Sequence, residues 1–119
     1  MSVPEVLRVG VLYSCALLKD MLDDAEDVDP ENDGLWFVMG MVYATARLVL
    51  SQLGFEVYTG EAYTVEEKHV HKVSVRVDIG EEEEYDIEYV IDYETNRIKE
   101  VNIYKYEEDA WIKVATIEF

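Results

Sequence analysis

The sequence predicts an α+β fold in which an N-terminal helical hairpin packs on a C-terminal antiparallel β-meander of four to five strands. Residues 3–53 contain two long apolar segments with few charges, whereas residues 55–119 are rich in segments that alternate with period two. Helices and strands that are segregated along the chain are typical of this class. At 119 residues we expect a single domain, 1–119, with the hairpin at about 3–53 and the sheet at about 55–119.

The first helix is predicted from about Pro4 to Asp24. Its middle is apolar on nearly every side, from Val9 to Leu18, and acidic residues return only towards its C-terminal end. A helix that faces water on one side should carry a wide polar stripe. This pattern therefore predicts that the helix is covered on more than one side.

The second helix, Leu35 to Leu53, follows an acidic linker and contains a single charged residue, Arg47. Its nineteen residues would extend about 28 Å, close to the thickness of a bilayer core. We nevertheless predict a buried hairpin and no membrane span, because Arg47 lies near the middle and no basic cluster flanks either end. Gly40 and Ala44, which are small and four residues apart, are expected to let the other helix approach closely.

Five segments after Gly54 have the character of strands, and Gly54 itself suits the residue that ends the second helix. The alternation is clearest in the second half of Tyr63–Ile79, where the odd positions form the core face. Asn96 is expected to adopt the left-handed conformation in a hairpin loop. The predicted strands lie at about Phe55–Thr59, Tyr63–Ile79, Tyr85–Tyr93, Ile98–Tyr106 and Trp111–Phe119.

The chain carries 27 acidic and 10 basic residues, a net charge of −17. Either plain solubility, with adaptation to an environment that favours acidic surfaces, or a dedicated basic partner explains this balance. The same balance disfavours direct binding of nucleic acid, which requires clustered Lys and Arg. A disulfide framework is excluded because Cys15 is the only cysteine, and its apolar neighbours predict an inert, buried thiol. With one cysteine and no basic start typical of a secretory signal, we expect a cytoplasmic location.

Both halves of the chain carry more apolar surface than we expect one small domain to hide. The helices are apolar almost all round, and the last two strands have apolar or aromatic residues on both faces, with Trp111 and Ala115 expected on one face and Ile112 and Val114 on the other. Large exposed apolar surfaces usually mark interfaces. We therefore expect a homo-oligomer, most simply a two-fold dimer.

Few residues have the spacing of a metal site. Glu67, His69 and His71 share one parity on a predicted strand, so they are the candidate ligands, but no further Cys or His supports them and no metal is predicted. Asp29–Gly34 matches the first half of a calcium loop, yet its twelfth position is Gly40 rather than the required Glu. We expect no cofactor.

No catalytic constellation can be assembled from the sequence, so we expect a non-catalytic protein. The alternative is a small-ligand-binding or enzymatic domain with a pocket between helices and sheet. The tyrosines of the predicted sheet suit a core or an interface better than stacking of nucleic-acid bases, because acids surround them. The candidate lining of that pocket is Trp36, His69, His71, Tyr89 and Tyr93.

The leading functional hypothesis is a small acidic binding or regulatory protein that engages a basic protein partner, for example the nucleic-acid-binding face of that partner. A second acidic segment, Glu107–Asp109, would lie either at the same end of the sheet as Glu81–Glu84 or at the opposite end, depending on strand pairing. A third hypothesis is a structural subunit of a homo-oligomer. The predicted partner-binding residues are Glu81, Glu82, Glu83, Glu84, Asp86, Glu88, Asp92 and Glu94.

Overall fold

A computed structural model describes residues 3–25, 34–81 and 83–119 and confirms the predicted α+β architecture. Five strands form one antiparallel sheet in the order β1-β2-β3-β4-β5, so each strand pairs with its neighbour in sequence. The elements are α1 (Glu5–Asp23), α2 (Gly34–Gln52), β1 (Glu56–Val65), β2 (Val70–Ile79), β3 (Glu83–Asp92), β4 (Arg97–Glu107) and β5 (Ala110–Glu118).

The hydrophobic core lies between the helical hairpin and one face of the sheet, here called the covered face. Alternate residues of β2 and β3, such as Val75, Ile87 and Tyr89, are fully buried against α1 and α2. The opposite, uncovered face carries the intervening residues, which are mostly polar. This alternation is the pattern expected of a sheet covered on one side.

The segment Tyr63–Ile79 is divided between two strands. Tyr63 to Val65 belongs to β1, which pairs with β2 through a bulge between Thr59 and Ala62. A short 3₁₀ turn at Glu66–Lys68 then reverses the chain, and His69 takes the left-handed conformation with φ of 57°. The apolar alternation did not reveal this turn because its residues are polar.

The close approach of the two helices occurs at Gly10 rather than at Gly40 and Ala44. A Cβ atom on Gly10 would lie 2.7 Å from Leu50 Cδ2, whereas one on Gly40 would meet nothing within 4 Å. The expectation that the Gly40–Ala44 pair faces α1 is therefore wrong. Both residues lie on the exposed side of α2.

A bulge also changes the predicted faces of β5. Ile103 pairs with Ala115 but Tyr104 pairs with Lys113, so Val114 has no partner opposite it. One inserted residue reverses the alternation beyond it. Trp111 consequently lies on the uncovered face beside Tyr106, while Ala115 faces the core, and the prediction that these two share a face is wrong.

Candidate functional site

The two acidic turns of the sheet lie at the same end. In an antiparallel meander, alternate turns return to the same side, and the pairs Ile79–Glu83 and Glu107–Ala110 close these two turns. The start of β1 also lies there, because Glu56 pairs with Asp78. We call this region the acidic end. Its described residues are Glu56, Asp78, Glu81, Glu83, Glu84, Glu107, Glu108 and Asp109.

Three carboxylates stand side by side across three strands at the acidic end. Asp78 pairs with Glu56 on one side and with Glu84 on the other. Like charges directly opposite each other destabilise a sheet. In addition, Asp78 Oδ1 is buried and accepts no hydrogen bond from any described residue. Glu56 Oε2 accepts a hydrogen bond of 2.7 Å from the Tyr58 hydroxyl, and Glu56 and Glu84 are both exposed, so these two carboxylates can still pair with an external positive charge.

The turn between β4 and β5 is made of acids in an unfavourable conformation. Glu108 and Asp109 have φ of 49° and 64°, so both central residues of this two-residue turn are left-handed. Such turns strongly favour Asn-Gly, because other residues tolerate positive φ poorly. Charge is therefore present here at some cost in local backbone energy.

The predicted partner-binding acids do not form one compact patch. Glu84, Asp86, Glu88 and Asp92 follow the uncovered face of β3, a strand of ten residues that spans about 33 Å. Glu83 is at an odd position of β3 and so lies on the other face of the strand. It accepts a hydrogen bond of 3.0 Å from the Tyr85 hydroxyl.

Three further acids of that set lie outside the β3 stripe. Glu81 is exposed in the turn before β3. Glu94 lies at the far end of the sheet, where its Oε1 is 2.7 Å from His69 Nδ1. Glu82 lies outside the described residues.

Polar groups cross-link the middle of the uncovered face. Asn102 Nδ2 donates to Glu88 Oε1 at 3.0 Å, and Thr116 Oγ1 donates to Asn102 Oδ1 at 2.9 Å. Lys72 Nζ lies 3.9 Å from the same Glu88 oxygen. This ladder holds β3, β4 and β5 together, so Glu88 is engaged within the protein.

Asp86 is half-buried beside this ladder. Desolvation raises the pKa of its carboxyl, and Glu88 and Glu61 push the pKa in the same direction. The Arg76 guanidinium and a hydrogen bond with Ser74 oppose the rise. The carboxylate of Asp86 is thus held in an environment that favours an additional positive charge.

Aromatic rings and basic side chains pack against one another on part of the uncovered face. The Arg76 guanidinium carbon lies 5.2 Å from the centre of the Trp111 ring, although β3 and β4 separate their strands. Trp111 also packs on Tyr106, with ring centres 5.1 Å apart. Such contacts are typical of cation–π attraction. The chain's own Arg76 therefore occupies the ring that an incoming cation would otherwise contact.

The two histidines pack against Tyr93 and do not form a metal site with Glu67. His71 is buried, its Nδ1 lies 2.8 Å from Thr64 Oγ1, and burial lowers its pKa. Exposed His69 pairs with Glu94 instead, and both rings lie against Tyr93. Within residues 3–25, 34–81 and 83–119, no three His, Cys, Asp or Glu side chains come together as a metal site, so Glu67 does not join the histidines. Most of the calcium-like segment, Asp29–Asp33, lies outside the described residues.

The predicted pocket lining does not form the wall of one cavity, although both histidine rings lie against Tyr93. A cavity of about 700 Å³ lies against α1 and the β3–β4 hairpin, and none of Trp36, His69, Tyr89 or Tyr93 lines it. His71 instead borders a much smaller space near Phe37 and Met41. The position of the large cavity depends on strand pairing, which the sequence pattern alone did not specify.

The buried side chains of Tyr85, Tyr89 and Cys15 are uncharged at neutral pH, because burial raises the pKa of each. Tyr89 is fully buried and shares a hydrogen bond of 2.7 Å with the Ser14 hydroxyl. Burial and the neighbouring Glu83 raise the pKa of Tyr85 to about 12. Burial raises the pKa of the Cys15 thiol to about 12, so the thiol is uncharged at neutral pH.

The outer side of the helical hairpin is apolar and uncovered. α2 is long and apolar enough to cross a membrane by length and composition, with a mean hydropathy of 1.4, but 39% of that stretch is buried within the protein. Eight large apolar side chains that α1 and α2 leave exposed are together called the outer stripe. They are Val6, Val9, Tyr13, Leu17, Met21, Trp36, Phe37 and Leu48.

Comparison of the chain with models of protein families, with curated proteins and with solved structures finds no match.

Proposed function

We propose that the protein is a non-catalytic binding protein that engages a basic protein partner through its acidic end, for example at a surface with which that partner holds nucleic acid. The observation that carries this proposal is the row Glu56, Asp78 and Glu84, in which three like charges lie side by side and one buried oxygen of Asp78 has no donor among the described residues. A partner's Lys or Arg that pairs with the exposed carboxylates of Glu56 and Glu84 would relieve the repulsion.

The strained acidic turn supports the same proposal. Asn-Gly at positions 108 and 109 would fit the backbone better than Glu-Asp, so the acids there favour a role for charge rather than for folding. Within the acidic end, Lys105 Nζ lies 3.2 Å from Glu107 Oε1, so this acid is already paired within the protein.

A binding assay with matched charge variants tests the proposal. The probe is a fluorescent deca-arginine peptide, followed by anisotropy at low and high salt. One variant combines Glu81→Gln, Glu84→Gln, Glu108→Gln and Asp109→Asn; the control combines Glu5→Gln, Asp20→Asn, Asp24→Asn and Glu66→Gln. Both lose the same charge. We expect at least about a tenfold loss of affinity in the first and less than about threefold in the control.

Equal losses in the two variants would mean that binding follows net charge alone and would contradict the proposed site. A second measurement places a DNA-binding basic protein and its duplex in competition with the chain. We expect the chain to displace the duplex, and displacement should weaken as salt rises because exposed charges are screened.

A turn variant separates folding from binding. Glu108→Asn with Asp109→Gly gives the preferred sequence for a left-handed two-residue turn, so thermal unfolding should shift upwards. The same variant removes two acids and should bind the deca-arginine peptide more weakly. If binding were unchanged, the turn would have no part in the acidic site.

We also propose that two copies of the chain associate through the outer stripe. Trp36 is 73% exposed and Tyr13 66% exposed, which is unusual for large aromatic residues on a domain of this size. From Val6 to Leu18 and from Gly34 to Gln52 neither helix contains an acid. Two strongly acidic molecules can therefore meet along this surface without bringing their negative charges together.

Sedimentation velocity over a range of micromolar concentrations tests the dimer. Tyr13→Glu combined with Leu48→Glu should give a monomer, because it places charge in the outer stripe. Ile112→Glu, at a comparably exposed apolar residue of β5, should leave the dimer intact. A wild-type chain that sediments as a monomer would overturn the proposal, as would flotation of the chain with phosphatidylcholine vesicles in place of self-association.

A further inference from the structure

The large cavity lies at the end of the sheet opposite the acidic end. It is bounded by α1, by the β3–β4 hairpin and by the C-terminal residue Phe119, and its volume is about 700 Å³. That is within the range of pockets that enclose small molecules, about 300–1,000 Å³. We propose that this cavity binds a free single-chain carboxylate, with the hydrocarbon chain inside and the carboxylate at the rim.

The inner wall suits a hydrocarbon chain. The N–H of Phe119 donates to the Lys99 carbonyl at 3.1 Å, which holds the backbone of Phe119 beside β4 at the border of the cavity. Burial of an alkyl chain against such a wall contributes about 0.8 kcal/mol per CH₂. The apolar residues that line the cavity are Leu12, Cys15, Ala16, Leu22, Ile98 and Phe119.

The rim suits an anion. Lys19, Arg97 and Lys99 line the cavity, and they are three of only ten bases in a chain with a net charge of −17. Within the part of the chain that the structure describes, none of these three forms an ion pair with a carboxylate. A ligand with an anionic head can therefore pair with them without displacing a partner.

Two acidic side chains share the rim with the three bases. Asp92 Oδ1 accepts the N–H groups of Glu94 and Thr95 at 2.9 and 3.2 Å, so this carboxylate stabilises the hairpin turn. Asp23 is exposed at the end of α1. The rim therefore contains three basic and two acidic side chains, and none of the three bases is paired with a described carboxylate.

A bulge in β4 provides one of these bases. Ile91 pairs with Ile98 and Val90 pairs with Glu100, so Lys99 has no residue opposite it. Bulges redirect side chains, and this one places Lys99 beside Ile98 on the cavity side. A regular strand would have put the two residues on opposite faces. The fold therefore combines an apolar wall with a basic rim by means of a specific irregularity.

Titration with decanoate, followed by calorimetry and by amide chemical shifts, tests the proposal. We expect one decanoate to bind saturably with a dissociation constant below 1 mM, and amide chemical-shift changes centred on residues 12–19, 97–99 and 119. Decanol, which has the same chain and no charge, should bind at least about tenfold more weakly, as expected when charge pairing contributes to affinity. Equal binding of decanol, or no binding of decanoate, would overturn the proposal.

Matched variants locate the site. Lys19→Gln, Arg97→Gln and Lys99→Gln together should weaken decanoate about tenfold, whereas Arg8→Gln, Arg47→Gln and Lys68→Gln, with the same change in net charge, should weaken it less than about twofold. An equal loss in both triple variants would contradict the assigned rim.

A steric variant tests the cavity without changing charge. Ala16 is an exposed residue of α1 that lines the cavity, so Ala16→Trp should fill the space and abolish binding while circular dichroism stays unchanged. Ala110→Trp, at an exposed position near the opposite end of the sheet, serves as the control and should bind normally. Retained binding in a folded Ala16→Trp protein would overturn the proposal.

Discussion

At the scale of single residues, the uncovered face contains a carboxyl that destabilises the protein at neutral pH. The folded-state pKa of Asp86 lies above its ordinary value, mainly because the group is desolvated. Such a group stabilises the fold most below the unfolded-state pKa, about 3.9. That contribution is lost as pH rises through the folded-state pKa, because the folded state then must ionise a poorly solvated acid.

Asp86→Asn should therefore increase the free energy of unfolding at pH 7, by about 0.5 kcal/mol after allowance for solvent screening of a half-exposed group. Near pH 3 the variant and the wild type should be equally stable. Urea unfolding at both pH values measures this, with Glu66→Gln as an exposed control. A variant less stable than wild type at pH 7 would mean that the contacts of Asp86 with Arg76 and Ser74 outweigh its desolvation.

The buried Ser14–Tyr89 pair is a second feature at this scale. The Ser14 hydroxyl donates to the Val11 carbonyl at 2.7 Å and so accepts from the Tyr89 hydroxyl. Ser14→Ala should cost about 1–3 kcal/mol, because it leaves a buried phenol without a partner, whereas Tyr89→Phe should cost about 1 kcal/mol.

The double variant should cost less than the sum of the single changes, since the unpaired phenol is then absent. A double-mutant cycle by urea unfolding measures this coupling. Strict additivity would show that the two hydroxyls do not depend on each other.

At the scale of elements, Gly10 in α1 and Gly40 in α2 should respond in opposite ways to replacement by alanine. Gly40→Ala should raise stability by about 0.5–1 kcal/mol, because alanine has less backbone freedom to lose and nothing occupies the space. Gly10→Ala should gain nothing or lose stability, because its Cβ would meet Leu50 and Leu53 at 2.7 and 2.8 Å. Thermal unfolding at two protein concentrations compares them. Equal gains would contradict the assigned helix contact.

Local periodicity explains which elements could be predicted from the sequence. Period two in β2 and β3 identified both strands and the buried face of each, since Val73, Val75 and Ile87 alternate with polar residues. The bulges at Lys99 and Val114 and the turn at His69 were missed. They depend on cross-strand hydrogen bonds, which one strand's own residues do not encode.

At the scale of the whole molecule, charge should govern stability. A net charge of −17 on 119 residues produces self-repulsion that salt screens. The melting temperature should therefore rise between about 0.02 and 0.5 M NaCl, where the Debye length falls from about 20 to about 4 Å. The variant with four neutralised acids at the acidic end should show a smaller rise. A melting temperature independent of salt would contradict this account.

The sequence by itself determined the class of fold, the two helices, the face of each central strand that enters the core, and the excess of negative charge. These properties follow from local periodicity and composition, which each segment carries within itself. Only the tertiary structure decided that the two acidic turns share one end, that Asp78 stands between Glu56 and Glu84, and that three of the few bases surround an apolar cavity. Those neighbours are far apart along the chain, and strand register and bulges, which arise from pairing between segments, bring them together.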